Sequence, residues 1–400
     1  MSRLRRGTGR VIAAGFATAA LAVLAACGSS STAGSVSGAG TPAAGQTSPA
    51  AANSQAGNTQ VTAALAKAAQ PITSWPGIKK IANPASVKGK KIMLVPLISQ
   101  VAILNGMIQS EADALKHLGA QPTICDGKGN PMTIATCLQQ AQAAKDFAVV
   151  TNFVAYQMVP NSFDSLAASG TKVLIGGDTP VPGKTYNPNI KFFDISSSLT
   201  PLFSDEADAV VADKGSNAGV LWLVQTDTPN QQQAGQNGID HLKSICPACQ
   251  VTTLTFTTAN VGNLASQVSA QLVSHPNISV LVSPVDSFVA PAWQGVQSSG
   301  FATKVEVIST GSDLDGLQRV ASGQEAHDFG ASALYDGYAE LNGLMQQLAG
   351  EPVDPALNVT RDFTKANVGS LKLTQAEYGT ADWFGNNSFV NQYYKAWGAA

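Results

Sequence analysis

The chain has 400 residues, of which 44% are hydrophobic and only 12% charged, and its net charge is -2. This length exceeds one ordinary domain and fits two, with enough apolar residues to form buried cores. Because there is no basic excess, the composition gives no support for a nucleic-acid partner.

The N-terminus has the layout of a secretory signal peptide. Four arginines precede an apolar run that starts at Val11, and they are Arg3, Arg5, Arg6 and Arg10. The run ends at Ala26 and is shorter than the roughly 18 residues that a membrane-spanning helix needs. We therefore expect residues 1–26 to be a signal peptide that is removed on export.

The sequence Leu24-Ala25-Ala26-Cys27-Gly28 follows this apolar run and resembles the lipobox of bacterial lipoproteins. The resemblance implies that Cys27 is lipidated and anchors the protein to the cell membrane on its extracytoplasmic side. The alternative is an ordinary cleaved signal with a coincidental cysteine. Residues 27–58 carry no charge and consist mainly of Gly, Ser, Ala, Thr, Pro and Gln, which predicts a flexible linker.

Four more cysteines occur in the body of the chain, and they are Cys125, Cys137, Cys246 and Cys249. An even number of cysteines in an exported protein favours disulfides. Of the three possible pairings, the local one joins Cys125 to Cys137 and Cys246 to Cys249 and needs the least chain folding. The spacing of Cys246 and Cys249 also allows a redox-active pair or half of a zinc site.

From residue 88 onward, short apolar runs alternate with amphipathic ones. The apolar runs predict strands at 91–97, 148–152, 172–176, 190–195, 219–225, 251–257, 280–283 and 305–310. Between them, residues 105–118 and 261–274 repeat apolar positions at helical spacing. This alternation predicts an α/β fold with parallel sheets covered by helices on both faces.

The order of elements changes at three places in the body. A new strand–helix series begins after about residue 196, and short extended segments occur near 328–335 and 361–368. Two doubly wound lobes joined by three hinge crossings would produce this layout, with a ligand cleft between them. The predicted parts are an N-terminal extension at 59–87, lobe 1 at 88–198 plus 334–361, and lobe 2 at 199–333 plus 362–400.

Several segments carry a family resemblance. The segments "KKIMLVPLISQVAILNGMIQSEADALKHLGAQPTICDGKGNP" and "VLIGGDT", and later "LVSPVDSFVAPAWQGVQSSGF" and "VISTGSDLDGLQRVASGQ", resemble the two lobes of type I periplasmic binding proteins. These are the ribose-binding-like solute receptors of ABC importers. The resemblance covers roughly residues 88 to 350 and rests on order and spacing. It implies a monomeric, lipid-anchored receptor without a cofactor, which captures a sugar or polyol and delivers it to an ABC permease.

Polar residues at the predicted strand ends are the candidate ligand contacts. They are Ser99, Gln100, Asn105, Asn152, Tyr156, Asp178, Gln225, Asp227, Asp286 and Asp313. A sugar offers apolar faces to aromatic rings, and each of its hydroxyls needs a hydrogen-bond partner. Asp178, Asp286 and Asp313 occupy the family's polar positions. Each candidate has the alternative of capping a helix or forming a turn.

Two features depart from the family. The first loop, residues 99–103, lacks the usual aromatic pair, and Gln231, Gln232 and Gln233 stand where an arginine is expected. Other rings are left to supply a stacking face, each with a core position as the alternative, and they are Phe153, Tyr156, Phe193, Trp222 and Trp293. Ribose and strongly anionic ligands are therefore not expected.

The sequence gives little support for an enzyme. The segment "GGDTPVPGKT" ends like a phosphate-binding loop, but its glycine spacing is wrong and its prolines lack the necessary N–H groups. The histidines, His117, His241, His275 and His327, belong to unrelated elements. We predict a binding protein with no metal. The alternatives are a sensory receptor that signals to a membrane protein and an extracellular enzyme that uses Cys246 and Cys249.

Overall fold

The computed structural model describes residues 49–399, with side chains from residue 59 onward. Cys27 and the predicted signal peptide lie outside the described residues. Helix α1, Pro49–Ala68, begins inside the predicted flexible linker. Residues 49–58 are therefore helical, since this stretch is rich in alanine and has proline at the first helical position. No helix within residues 49–399 is both long and apolar enough to span a bilayer.

The first lobe is built on five parallel strands in the spatial order β2-β1-β3-β4-β5. These strands are β1 (Lys91–Pro96), β2 (Gln121–Ile124), β3 (Ala148–Asn152), β4 (Lys172–Gly176) and β5 (Ile190–Phe193). The helices of this lobe are α2 (Ala102–His117), α3 (Pro131–Ala144), α4 (Pro160–Ala168) and α10 (Ala333–Ala349). The five residues of β3 are all buried, as expected for a central parallel strand.

The second lobe has six strands in the order β11-β10-β9-β8-β6-β7, and only β11 runs antiparallel to its neighbour. The strands are β6 (Gly219–Gln225), β7 (Gln250–Phe256), β8 (Ile278–Ser283), β9 (Glu306–Thr310), β10 (Glu325–Gly330) and β11 (Arg361–Phe363). The helices are α5 (Ser196–Lys214), α6 (Pro229–Ile245), α7 (Leu264–Ser274), α8 (Val289–Ser298) and α9 (Leu314–Ser322). The predicted α/β architecture of two parallel-sheet lobes is confirmed.

The eight predicted strands are all present, with ends displaced by at most two residues. Three strands were not predicted as such, and each has a physical reason. β2 is a short, mostly exposed edge strand that shows no apolar run. β10 contains Glu325, His327 and Asp328 among its six residues, and β11 has only three residues. Both fall close to the extended segments that the sequence indicated.

The chain crosses between the lobes three times, at 194–195, at 331–332 and at 350–360. The first and third crossings are joined, because the Ala356 N–H donates to the Asp194 carbonyl at 2.8 Å. At the opposite rim the lobes touch: the Ala102 N–H, at the start of α2, donates to Ser287 Oγ at 3.2 Å. The described conformation is therefore closed.

The two chain extensions pack on both lobes. Helix α1 lies against α5 of the second lobe, whereas α13 (Phe389–Ala396) lies against α10 of the first. The sequence placed all of 362–400 with the second lobe. That assignment is wrong for α13, because Trp397 stacks on Tyr338 at 5.7 Å and donates to Asn342 at 2.9 Å. Two short helices, α11 (Lys365–Val368) and α12 (Gln375–Tyr378), precede it.

Both disulfides have the local pairing. Cys125 is bonded to Cys137 with Cα atoms 5.8 Å apart, and Cys246 to Cys249 with Cα atoms 5.4 Å apart. The first joins the residue after β2 to helix α3, and the second closes the turn between α6 and β7. Each bridge closes a short segment between two neighbouring elements, which suits a structural role.

Trp75 fastens the N-terminal extension to the body. Its indole is buried, stacks on Tyr335 at 4.7 Å, contacts Phe389 at 4.5 Å and donates to the Asn386 carbonyl at 3.0 Å. We expect Trp75→Ala to lower the free energy of unfolding by about 3 to 5 kcal/mol, measured by urea denaturation. The exposed control Val273→Ala should change it by less than about 0.5 kcal/mol. Equal stabilities of the two variants would show that the extension is not part of the folded body.

Candidate ligand-binding site

The carboxyl ends of strands from both sheets face each other across a cleft that encloses about 820 Å³, including the part open to solvent. The first lobe contributes Ile103 and Met107 of α2, Phe153 after β3 and Phe193 of β5. From the second lobe come Leu199, Leu202, Gln231, Pro284, Val285, Thr310, Gly311 and Gly330. The crossings add Tyr335 and Asp336 of α10 and the segment 356–360. Ligands of parallel sheets bind in this position.

A smaller cavity of about 330 Å³ shares several walls with the cleft and lies nearer the rim. It is lined by Leu97, Ile98, Val101, Ile103, Leu104, Phe153, Gln225, Gln231, Val285 and Phe288. Because most of these side chains are apolar, the rim excludes water from whatever occupies the cleft when the lobes are closed.

Two polar side chains at the cleft have no partner within the described protein. Gln231, on the first turn of α6, is buried, and its Oε1 accepts no hydrogen bond. The carboxyl of Asp336, which is only partly buried, also makes no hydrogen bond or ion pair, and desolvation raises its pKa to about 7. A buried polar atom without a partner costs about 1 to 3 kcal/mol, which a bound ligand can recover.

The stacking face comes from Phe153 and Phe193, two of the rings that the sequence offered. Phe153 has φ of +60°, a left-handed conformation that costs a bulky residue about 1 kcal/mol or more. Gly177 makes room for it, because a Cβ there would lie 2.9 Å from Phe153 Cγ. Trp222 is fully buried in the second lobe, and Trp293 lies on α8 away from the cleft.

The polar residues predicted in the first loop do not line either cavity. The Ser99 N–H donates to Asp126 Oδ1 at 3.0 Å, which orders the loop, and Gln100 and Asn105 are exposed. The side chains that α2 sends into the cleft are instead Ile103 and Met107. The structure therefore directs Ile103 and Met107, rather than Ser99, Gln100 and Asn105, towards the cleft.

Asn152 belongs to a buried group in the first lobe. Its Nδ2 donates to Glu111 Oε1 at 2.8 Å, and Glu340 lies beside it with no hydrogen bond to either oxygen. Gly176 is required here, since a Cβ would lie 1.8 Å from Glu340 Oε1. Burial raises the pKa of Glu111 to about 8 and that of Glu340 well above its usual value.

Tyr156 is also buried inside the first lobe. Its ring packs on Phe163 at 5.8 Å and edge-on to Tyr186 at 5.0 Å, and its hydroxyl donates to Asp164 at 2.8 Å. The ring lines neither cavity. Tyr156 therefore has a core position, which was the alternative to a ligand contact for this residue.

Asp313 caps helix α9, which was the alternative for strand-end acids, whereas Asp178 accepts a backbone N–H of the loop after β3. Asp178 Oδ2 accepts the Tyr156 N–H at 2.7 Å, and Asp313 Oδ1 accepts the Gly316 N–H at 2.8 Å in the first turn of α9. Both carboxyls are almost fully buried and lie outside the cavities. The N-terminus of a helix offers unpaired N–H groups, and Asp313 satisfies one of them, while Asp178 orders the loop after β3.

Asp286 lies one layer behind the cleft wall. Its carboxylate accepts hydrogen bonds from Ser309 and from Arg319 Nη2, the latter at 3.1 Å. The wall itself is Gly311, where a Cβ would lie 3.1 Å from Asp286 Oδ2. Burial, followed by the charge of Asp313, raises the pKa of Asp286 well above its usual value. Asp286 was predicted to contact the ligand, but it does not line the cleft; it lies behind Gly311, which does.

Asp286, Glu325 and Asp328 form the one group of acids among the described residues with metal-ligand spacing, their oxygens lying within 4.8 Å of one another. Arg319 already pairs with two of them, donating to Glu325 Oε2 at 2.9 Å as well as to Asp286. The guanidinium of Arg319 supplies a positive charge to these acids. Burial raises the pKa of Asp328 well above its usual value, which favours its neutral form, so the group is accounted for without an ion.

Gln225 is the one predicted contact that faces a cavity. It lines the smaller cavity, and its Nε2 donates to Thr228 and Thr258 at 3.0 Å each. Asp227 lies nearby but accepts the Thr258 N–H at 2.9 Å and lines neither cavity. None of the four histidines lines the cleft or the smaller cavity.

The polar cleft residues that sequence reasoning missed are Gln231 and Asp336. Gln231 had a signal, because it begins the glutamine run at the position where the family resemblance led us to expect arginine. Asp336 had none, since it lies inside a helical pattern next to a lobe crossing. Asp336 lines the cleft because α10 begins directly after the crossing at 331–332.

The raised pKa of Glu111 makes the free energy of unfolding depend on pH. Since its folded pKa of about 8 exceeds the ordinary glutamate value of 4.5, the folded state holds an extra proton between these values. Stability therefore falls as pH rises through this window. We expect Glu111→Gln to reduce that slope by about 1 kcal/mol per pH unit, measured as urea denaturation at several pH values. Asp240→Asn, at an exposed acid on α6, serves as the control and should keep the wild-type slope. An unchanged slope in Glu111→Gln would contradict the assignment.

Comparison with known proteins gives matches at the level of structure. No family model matches the chain, and no curated protein matches it in sequence. A sugar ABC transporter protein from Yersinia enterocolitica matches with a TM-score of 0.65 at 15% identity, covering 80% of this chain and 98% of its own.

Two further crystal structures are similar. A 5-methylthioribose transporter solute binding protein from Thermotoga lettingae matches with a TM-score of 0.63 at 12% identity, covering 78% of this chain and 98% of its own. A Caulobacter myo-inositol binding protein matches with a TM-score of 0.62 at 16% identity, covering 73% and 98%. These structures and this one share two parallel-sheet lobes across a cleft, so the chain has the fold of the type I periplasmic binding proteins.

Proposed function

We propose that this protein is an extracytoplasmic solute receptor that closes its two lobes on a small polar molecule and presents it to an ABC permease. Binding, rather than catalysis, is its activity. The observation that carries this proposal is the enclosed cleft, where strand ends of both lobes meet around the unpartnered Gln231 and Asp336.

A sugar or polyol is the ligand class that the similar structures suggest. Proteins described as binding 5-methylthioribose and myo-inositol share this fold. Phe153 and Phe193 suit the apolar face of a ring, and Gln231, Thr310 and Asp336 suit its hydroxyls. Because the rim is already in contact, a ligand would act by stabilising the closed form over the open one.

Export and lipid anchoring belong to the same proposal. The signal-like N-terminus and the lipobox-like residues at Cys27 support a tether to the membrane. The two disulfides are consistent with an oxidising compartment outside the cytoplasm. Cys246 is buried as well as bonded to Cys249, and this favours a structural bridge over the alternative of a thiol enzyme, whose cysteine must be accessible.

A thermal-shift screen of the full-length protein against pentoses, hexoses and cyclic and linear polyols tests the proposal. A ligand at about a hundred times its dissociation constant should add about 2.7 kcal/mol of stability. This corresponds to a rise of several degrees in melting temperature. Silence across the whole panel would exclude neutral sugars and neutral polyols as the ligand.

The variant Gln231→Ala tests whether the ligand binds beside Gln231 in the cleft. Because Gln231 Oε1 has no partner in the protein, its loss should leave the melting temperature of the free protein unchanged or slightly higher. The affinity for the ligand found in the screen should fall about tenfold, measured by calorimetric titration. Gln232→Ala, at the exposed next position of α6, is the matched control and should bind as wild type. Equal loss in both variants would place the ligand elsewhere.

A further inference from the structure

Asp336 differs in charge from the other residues that line the cleft. Among the described residues that line the cleft and the smaller cavity, it is the only charged one. No lysine, arginine or histidine lines either cavity. The carboxyl lies in the first turn of α10, and none of the ion pairs or hydrogen bonds of the described residues reaches it. A cleft with one unpaired acid and no base is matched by a positively charged ligand.

The acids beneath Asp336 add to this need. Glu340 lies one turn further along α10, and Glu111 lies beyond it, and neither is paired with a cation within the described protein. Burial and then Glu111 raise the pKa of Glu340, and Asp336 adds to this. Since neither of these acids supplies a counter-charge, a positive charge for Asp336 can come only from the cleft.

The aromatic lining suits the same charge. Phe153, Phe193 and Tyr335 line the cleft together with Asp336. The face of an aromatic ring attracts a cation within about 6 Å, and the attraction is stronger where water is excluded. Ile103, Met107 and Leu202 give the remaining wall an apolar surface for the body of the ligand.

We propose that the ligand carries a protonated nitrogen that pairs with Asp336, which makes amino sugars and amino polyols, rather than neutral sugars, the captured class. This inference rests on the proposed function and narrows it. The protonated amine supplies the counter-charge that Asp336 lacks within the described protein. The hydroxyls of the ligand pair with Gln231, Thr310 and Asn358.

The test compares matched pairs of compounds by calorimetric titration of the full-length protein. The pairs are D-glucosamine with D-glucose, D-galactosamine with D-galactose, and 1-amino-1-deoxysorbitol with sorbitol. In at least one pair the amine should bind, and its neutral partner should bind at least about tenfold more weakly. Neutral compounds that bind as tightly as their amines would overturn the inference and leave the receptor function standing. No binding by any member would contradict the proposed function itself.

Asp336→Asn supplies the second arm of the test. The variant should fold, since it removes an unpaired charge, and should bind the amine at least about tenfold more weakly. Asp240→Asn, which removes an exposed charge on α6, should bind the amine as wild type does. Unchanged amine binding in Asp336→Asn would also overturn the inference.

The pH dependence of amine binding gives an independent measurement. Burial raises the pKa of Asp336 to about 7, so its carboxylate form, which the amine needs, is lost as pH falls from about 8 to about 6. With 1-amino-1-deoxysorbitol, whose alkylamine stays protonated over this range, affinity should therefore fall several-fold in wild type and stay flat in Asp336→Asn. The other titratable groups around Asp336 are Glu340 on the same helix and Tyr335, Tyr378 and Tyr393. A pH dependence that persists in Asp336→Asn would assign the effect to one of them.

Discussion

Two parallel sheets meet with their carboxyl ends facing each other, and the rest of the structure depends on this arrangement. Parallel strands require crossover helices on both faces, so the open edge of each sheet is where the loops and helix N-termini collect. Three chain crossings hold the two edges opposite one another, and α10 begins directly after the second of them. Side chains on α10 therefore reach the cleft, the first-lobe core and the C-terminal helix α13 at the same time.

The fold could be predicted from the sequence because its signals are local and periodic. Continuous apolar runs such as Gly219–Gln225 are typical of strands buried on both faces, and their alternation with helical patterns limits the topology. β2 and β10 carry no such run, since one is exposed and the other is rich in buried acids. The packing of α13 on α10 rests on long-range contacts of Trp397 and Tyr394, which leave no periodic signal.

The candidate site was harder to predict for a physical reason. A polar residue after a strand has two uses, to bind a ligand or to satisfy the N–H groups of the next helix, and both need the same side chains. Asp313 has the second use, Asp178 accepts a loop N–H after β3, and Asp286 supports the wall behind Gly311. The polar groups left for a ligand, Gln231 and Asp336, lie on helices. Their availability is visible only once their neighbours are known.

The most direct measurement is a crystal structure of the full-length protein with the compound that gives the largest thermal shift. The account predicts density for that compound between Phe153 and Asp336, with Gln231 in hydrogen-bonding distance and the rim contact of Ala102 with Ser287 retained. A compound bound outside the cleft, or in a cleft that leaves Gln231 and Asp336 without a contact, would contradict it.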